Sequence, residues 1–153
     1  MKIAYQFTIS LSFALFFMLG CAAETKLADY QPKSAEEAEV VQFVTECDSF
    51  YQNKDFPKLF DCFHDDAKIR IYIDGAYRSH PMVTKPEFIK YIEGGKSDTM
   101  ERSGILNPKI SMTGDRATIK FSHREDGYII IETWDLVKKN ENWKITRSYW
   151  DWR

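Results

Sequence analysis

The sequence predicts an α+β domain, with helices laid on one face of a curved antiparallel sheet. Three observations carry this. Val40, Val44, Cys47 and Tyr51 recur at helical spacing behind the capping sequence Ser34-Ala35-Glu36-Glu37. A second box, Thr84-Lys85-Pro86-Glu87, opens another short helical pattern. From Ile110 onward the period becomes two, interrupted by turn signals at Thr113-Gly114-Asp115, Asp126-Gly127 and Lys139 to Asn142.

The elements follow in order. The first helix runs from about Ala35 to Gln52, with Phe43 and Phe50 widening its apolar stripe. Asp55 caps a short second helix, which tolerates Pro57 in its first turn and carries Leu59, Phe60 and Phe63. Asp65 and Asp66 cap the turn into a strand from Lys68 to Ile73, whose Ile69, Ile71 and Ile73 share a face, and Asp74-Gly75 turns it. His64 and His80 read as surface residues. The third helix carries Phe88, Ile89, Tyr91 and Ile92 and stops at Gly94-Gly95. Strands then follow to Trp152, with all four tryptophans at or beyond Trp134.

The chain has 153 residues, room for one domain, with 44% apolar residues and a formal net charge of −2. No basic stripe runs along it, which argues against nucleic acid as a partner. No His/Cys/Asp cluster has metal-ligand spacing and no Gly-rich phosphate loop is present, so neither metal nor cofactor is expected. Residues 1–20 read as a secretory signal, with Lys2 before an apolar run through Leu19. Leu19-Gly20-Cys21-Ala22 resembles a bacterial lipobox, although Met18 stands where that pattern prefers Leu. The resemblance implies lipidation of Cys21 and an envelope location, on the periplasmic side of the outer membrane. An ordinary secreted protein and an uncleaved anchor helix are the alternatives. Residues 21–33, polar, aperiodic and containing Pro32, read as a tether, and 34–153 as the domain. Cys47 and Cys62 either join in a disulfide or lie as two buried thiols.

Register across the hairpins sorts the strand residues. A two-residue turn at Asp126-Gly127 sets Glu125 opposite Tyr128, His123 opposite Ile130, Phe121 opposite Glu132 and Ile119 opposite Trp134. A turn at Lys139 to Asn142 sets Leu136 opposite Ile145, Trp134 opposite Arg147, Glu132 opposite Tyr149 and Ile130 opposite Asp151. Side chains alternate faces, so the helix-facing side holds His123, Glu132, Trp134, Arg147, Tyr149 and Asp151. Tyr51 and Tyr72 or Arg70 could complete this pocket, apolar-walled with a few convergent polar groups. The competing reading is an internal network in which Glu132 pairs with Arg147. The opposite face would carry Ile129, Ile131, Trp150 and Trp152, an apolar patch that calls for cover.

Phe50-Tyr51-Gln52-Asn53-Lys54-Asp55, Phe63-His64-Asp65-Asp66-Ala67, Gly114-Asp115-Arg116-Ala117-Thr118-Ile119 and Asn142-Trp143-Lys144-Ile145 resemble the nuclear transport factor 2-like superfamily. This superfamily includes SnoaL-like polyketide cyclases and ketosteroid isomerases. The resemblance covers 34–153 and implies a cone-shaped sheet wrapped around three helices and a pocket, and a homodimer through the outer sheet face. The isomerase base and tyrosine would fall near Ile71 and Cys47, so that site is absent. An acid/base set from His123, Glu132, Tyr149 and Asp151 could still serve a cyclase-, isomerase- or dehydratase-type enzyme. The leading expectation is an envelope lipoprotein that binds a small apolar or amphipathic molecule without catalysis. A pure assembly module with a collapsed pocket is the third reading.

Overall fold

The computed structural model describes residues 23–73, 83–93, 102–125 and 127–152, excepting the side chains of 71–73, 91–93 and Trp152. The signal segment, Cys21, His80, Asp74-Gly75, Gly94-Gly95 and Asp126 lie outside the described residues, as do the Tyr72 and Trp152 side chains. Three helices, α1 (Ala35–Gln52), α2 (Phe56–Asp61) and α3 (Lys85–Glu93), pack with six strands. The strands are β1 (Phe63–Ile73), β2 (Val83–Thr84), β3 (Leu106–Thr113), β4 (Arg116–Glu125), β5 (Tyr128–Lys139) and β6 (Asn142–Trp152). They form one sheet in the order β2-β1-β6-β5-β4-β3. The expected α+β architecture is present, with one departure from an all-antiparallel sheet. The last strand inserts between β1 and β5 and runs parallel to β1.

Local chemistry sets the helix ends. Ser34 Oγ accepts from the Glu37 N–H at 3.1 Å. The Glu37 side chain does not complete the capping box. It accepts instead from the Lys33 N–H and from the Tyr30 hydroxyl, the latter at 2.8 Å. Asp55 caps α2 by accepting from the Lys58 N–H. At α3 the reciprocal half is made: Glu87 Oε2 accepts from the Thr84 N–H at 2.6 Å and its hydroxyl at 2.8 Å.

Residues 24–30, expected within a tether, are docked on the domain. Leu27 is buried and its N–H donates to the Ile105 carbonyl at 3.1 Å. Thr25 and Asn107 exchange hydrogen bonds, and Glu24 meets Arg124. Asp65 and Asp66 do not cap a turn. They lie exposed within β1, which starts earlier than the alternation suggested because a register shift separates Phe63 from Lys68.

The core gathers Val40, Val44 and Cys47 from α1 with Ile119, Phe121, Ile130, Trp134, Leu136 and Ile145 from the sheet. A Cys47–Cys62 disulfide joins α1 to the end of α2. The β5–β6 hairpin closes on Asn140 and Glu141, both left-handed at φ 50° and 62°. A primed two-residue turn requires this, and glycine adopts it without Cβ strain. Glu141→Gly is expected to raise stability by about 0.5–1 kcal/mol, read as a higher urea midpoint at unchanged slope. The exposed 3.6 Å Lys138–Glu141 pair it removes contributes little.

Candidate functional site: a buried polar cluster under the sheet

The β4–β5 register is as expected, from Glu125↔Tyr128 through Phe121↔Glu132 to Ile119↔Trp134. On β4 and β5 this turns His123, Glu132 and Trp134 inward, all buried. The β5–β6 register is as expected only as far as Leu136↔Ile145. Beyond it Thr146 is an extra residue, a β-bulge whose hydroxyl donates to the Asp135 carbonyl at 3.0 Å. One inserted residue exchanges the faces of everything that follows. Trp134 therefore faces Ser148 and Glu132 faces Trp150, while Asp135, Thr133 and Ile131 pair with Arg147, Tyr149 and Asp151.

This corrects four assignments. Arg147, Tyr149 and Asp151 lie on the outer face and cannot join the cluster. Trp150 is buried against Phe88, ring centroids 5.6 Å apart, and leaves the expected partner surface. Ile129 remains outward and exposed, with Ile131 half-buried beside it on the same face. Trp152 pairs in register with Ile130, and Tyr72 with Asp151.

The inward cluster is built around Glu132. Its Oε1 accepts from the Trp134 indole N–H and from the Ser148 hydroxyl at 3.0 Å, and Trp150 Nε1 donates to Ser148 Oγ at 2.6 Å. Its Oε2 lies 3.3 Å from His123 Nε2 and 3.5 Å from Arg102 Nη2. Arg102 also sits 3.6 Å from Asp48 Oδ1 and over the Tyr51 ring, 4.3 Å from its centroid. His123 Nδ1 is 3.8 Å from Glu125 Oε2. Phe121 stacks edge-on against Trp134 at 5.0 Å and completes an apolar wall. The expected Glu132–arginine pairing exists, with Arg102 rather than Arg147 as the cation.

Asp48, Arg102, Glu125 and Ser148 were missed. Asp48 follows Val44 by four residues, and a carboxylate beside the buried stripe of α1 was a usable signal. Glu125 extends the inward parity of β4 by one step. Ser148 was hidden by the bulge. Arg102 had no sequence signal: it is placed because Ser103 exchanges hydrogen bonds with the Arg124 backbone, both at 2.8 Å, and Arg102 bridges Glu125.

Burial pushes the His123 imidazole below its ordinary 6.5, and the Arg102 charge adds to this, so the ring is neutral at pH 7. Burial alone would raise the Glu132 carboxyl, but the neighbouring His123 imidazole and the charge of Arg102 hold it below 4.5. Unfolding therefore takes up a proton at His123 below pH 6.5, and a second at Glu132 below 4.5. Stability is expected to be level near pH 7 and to fall with acid in those two windows. The slope for each proton reaches about 1.4 kcal/mol per pH unit. Urea midpoints across pH check this, and His123→Gln should remove the upper slope alone.

A family model described as "Putative lumazine-binding" matches residues 35–151. The fold is similar to a nuclear transport factor 2-like protein of unknown function from Pseudomonas putida. That overlay has a TM-score of 0.65 at 14% identity and covers 79% of this chain and 89% of the other. It is similar also to a nuclear transport factor 2-like protein from Cytophaga hutchinsonii, at TM-score 0.61 and 15% identity, covering 78% and 99%. The S. rosetta CaMKII hub overlays at TM-score 0.62 and 14% identity, covering 76% and 95%. No curated protein matches the chain. At such identities these structures establish the fold and leave activity to be argued from the site.

Proposed function

Because the chain belongs to the family described as putative lumazine-binding, within the nuclear transport factor 2-like superfamily, we propose that it binds a small planar heterocycle without transforming it. The binding groups are Asp48, Arg102, His123 and Glu132. One observation carries this reading. Asp48 Oδ1, Arg102 Nε and Nη2, His123 Nδ1 and Glu132 Oε2 are buried and make no hydrogen bond, although ion-pair neighbours stand 3.3–3.8 Å away. Buried polar atoms are ordinarily satisfied, so these unmet donors and acceptors are ones that a polar ligand would complete. The set mixes donors with acceptors and lies beside Tyr51, Phe121 and Trp134. A flat ring whose edge carries both N–H and C=O groups would complement it.

Binding is favoured over catalysis by the state of Glu132. A carboxylate ringed by donors and held below its ordinary pKa is a weak base. The second reading, a cyclase-, isomerase- or dehydratase-type enzyme, draws on neutral His123 and its unbonded Nδ1 as the proton acceptor. Tryptophan fluorescence of the chain from Ala22, titrated with lumazine itself, tests the binding reading. Saturable quenching is expected, weakened about tenfold or more by Asp48→Asn, since each lost charged hydrogen bond is worth about 1.5–3 kcal/mol. Absence of quenching, with no small molecule carried through native mass spectrometry, would sink the proposal. The location we propose is the bacterial envelope, with acylated Cys21 as the anchor, supported by Leu19-Gly20-Cys21-Ala22.

A further inference from the structure

Charge is segregated across this fold. The helix α1 carries Glu36, Glu37, Glu39, Glu46 and Asp48 and no lysine or arginine. The outer face of the sheet is the reverse. Lys68 and Arg147 are register partners there, as are Lys109 and Lys120, and Arg124 follows on β4. All five are exposed, with exposed Ile129 among them, in a chain whose net charge is −2. Anions on that face include Asp135, which accepts from Thr118 at 2.9 Å and is the register partner of Arg147, and Asp151.

Glu24 and Thr25 lie beside this face. Thr25 is hydrogen-bonded to Asn107, and Glu24 meets Arg124 at 2.5 Å. Cys21 is three residues from Glu24, a reach of at most about 10 Å. A lipid on Cys21 would therefore hold the domain flush against the bilayer, not at the end of a thirteen-residue tether.

We propose that the outer sheet face, through Lys109, Lys120 and Arg147, docks on an anionic lipid surface. This rests on the Cys21 anchor of the proposed function for its geometry and on the charge pattern for its chemistry. Basic side chains gather at anionic headgroups, and Ile129 inserts at the level of the interface. A second copy is the poorer occupant, because it would bring two faces of net positive charge together.

Sedimentation of the chain from Ala22 with vesicles tests the face without the anchor. The probe is phosphatidylcholine containing about one-third phosphatidylglycerol, against phosphatidylcholine alone, at low salt. Binding is expected to the anionic vesicles only. It should be lost about a hundredfold or more in the K109E/K120E/R147E variant, whose exposed positions leave the melting transition in place. Equal binding to both vesicles, or equal binding by the variant, overturns the proposal. So does a dimer that the variant abolishes when no vesicle binds. The mass of the N-terminal peptide from cells expressing the full chain reports acylation separately. An unacylated Cys21 with intact vesicle binding removes the anchor and keeps the face; an acylated Cys21 without vesicle binding does the opposite.

Discussion

Glu132→Ala is expected to cost about 3–5 kcal/mol of stability, the range for removing one partner from a buried charge cluster. The Glu132 side chain is 2% exposed, and four groups lean on it: the Trp134 indole, the Ser148 hydroxyl, His123 and Arg102. Without it, two buried donors lose their acceptor, and among the described residues Arg102 retains Asp48 as its counter-charge. The loss should exceed that of Ile130→Val two residues earlier, which removes a single buried methylene at about 0.5–1.5 kcal/mol. A double variant, Arg102→Met with Glu132→Leu, should regain part of the loss, since it removes both charges and leaves neither stranded. Urea unfolding at pH 7 measures all four proteins. A Glu132→Ala cost below about 1 kcal/mol would mean that the cluster contributes little to folding.

The second large effect is expected at the disulfide. Cys47 and Cys62 are 15 residues apart and both buried, and the chain-entropy model gives about 3 kcal/mol for a loop of this length. Cys62→Ala should lower the melting temperature by roughly 10 °C. Reduction of the unchanged protein should do the same, because it acts on the same denatured-state loop. A melting temperature indifferent to reductant would show that the two cysteines are present as thiols. The helices themselves should persist, since Ser34 and Asp55 cap them independently of the bridge.

Much of the fold was legible. Capping residues and apolar spacing locate α1 to within its ends, and Asp126-Gly127 sets the β4–β5 register at every pair. The site was legible only in part, and β6 shows why. Its register was propagated outward from the turn, which is sound until a residue is inserted. The strand's own pattern told against that propagation. Ser148 and Trp150 are the residues that suit an interior, whereas Arg147 and Asp151 suit solvent, and the bulge at Thr146 restores that sorting.

The sequence by itself determined the element order, the helix caps and which residues of β4 and β5 point inward, because these follow from interactions a few residues long. Tertiary structure alone decided what meets Glu132. Asp48 and Arg102 come from segments 54 residues apart, and no local propensity couples them. It also decided the basic outer face. Its cations are single residues at alternate positions on four strands, so no stretch of the chain reads as basic. They become a patch only because strand pairing brings neighbouring backbones within about 5 Å.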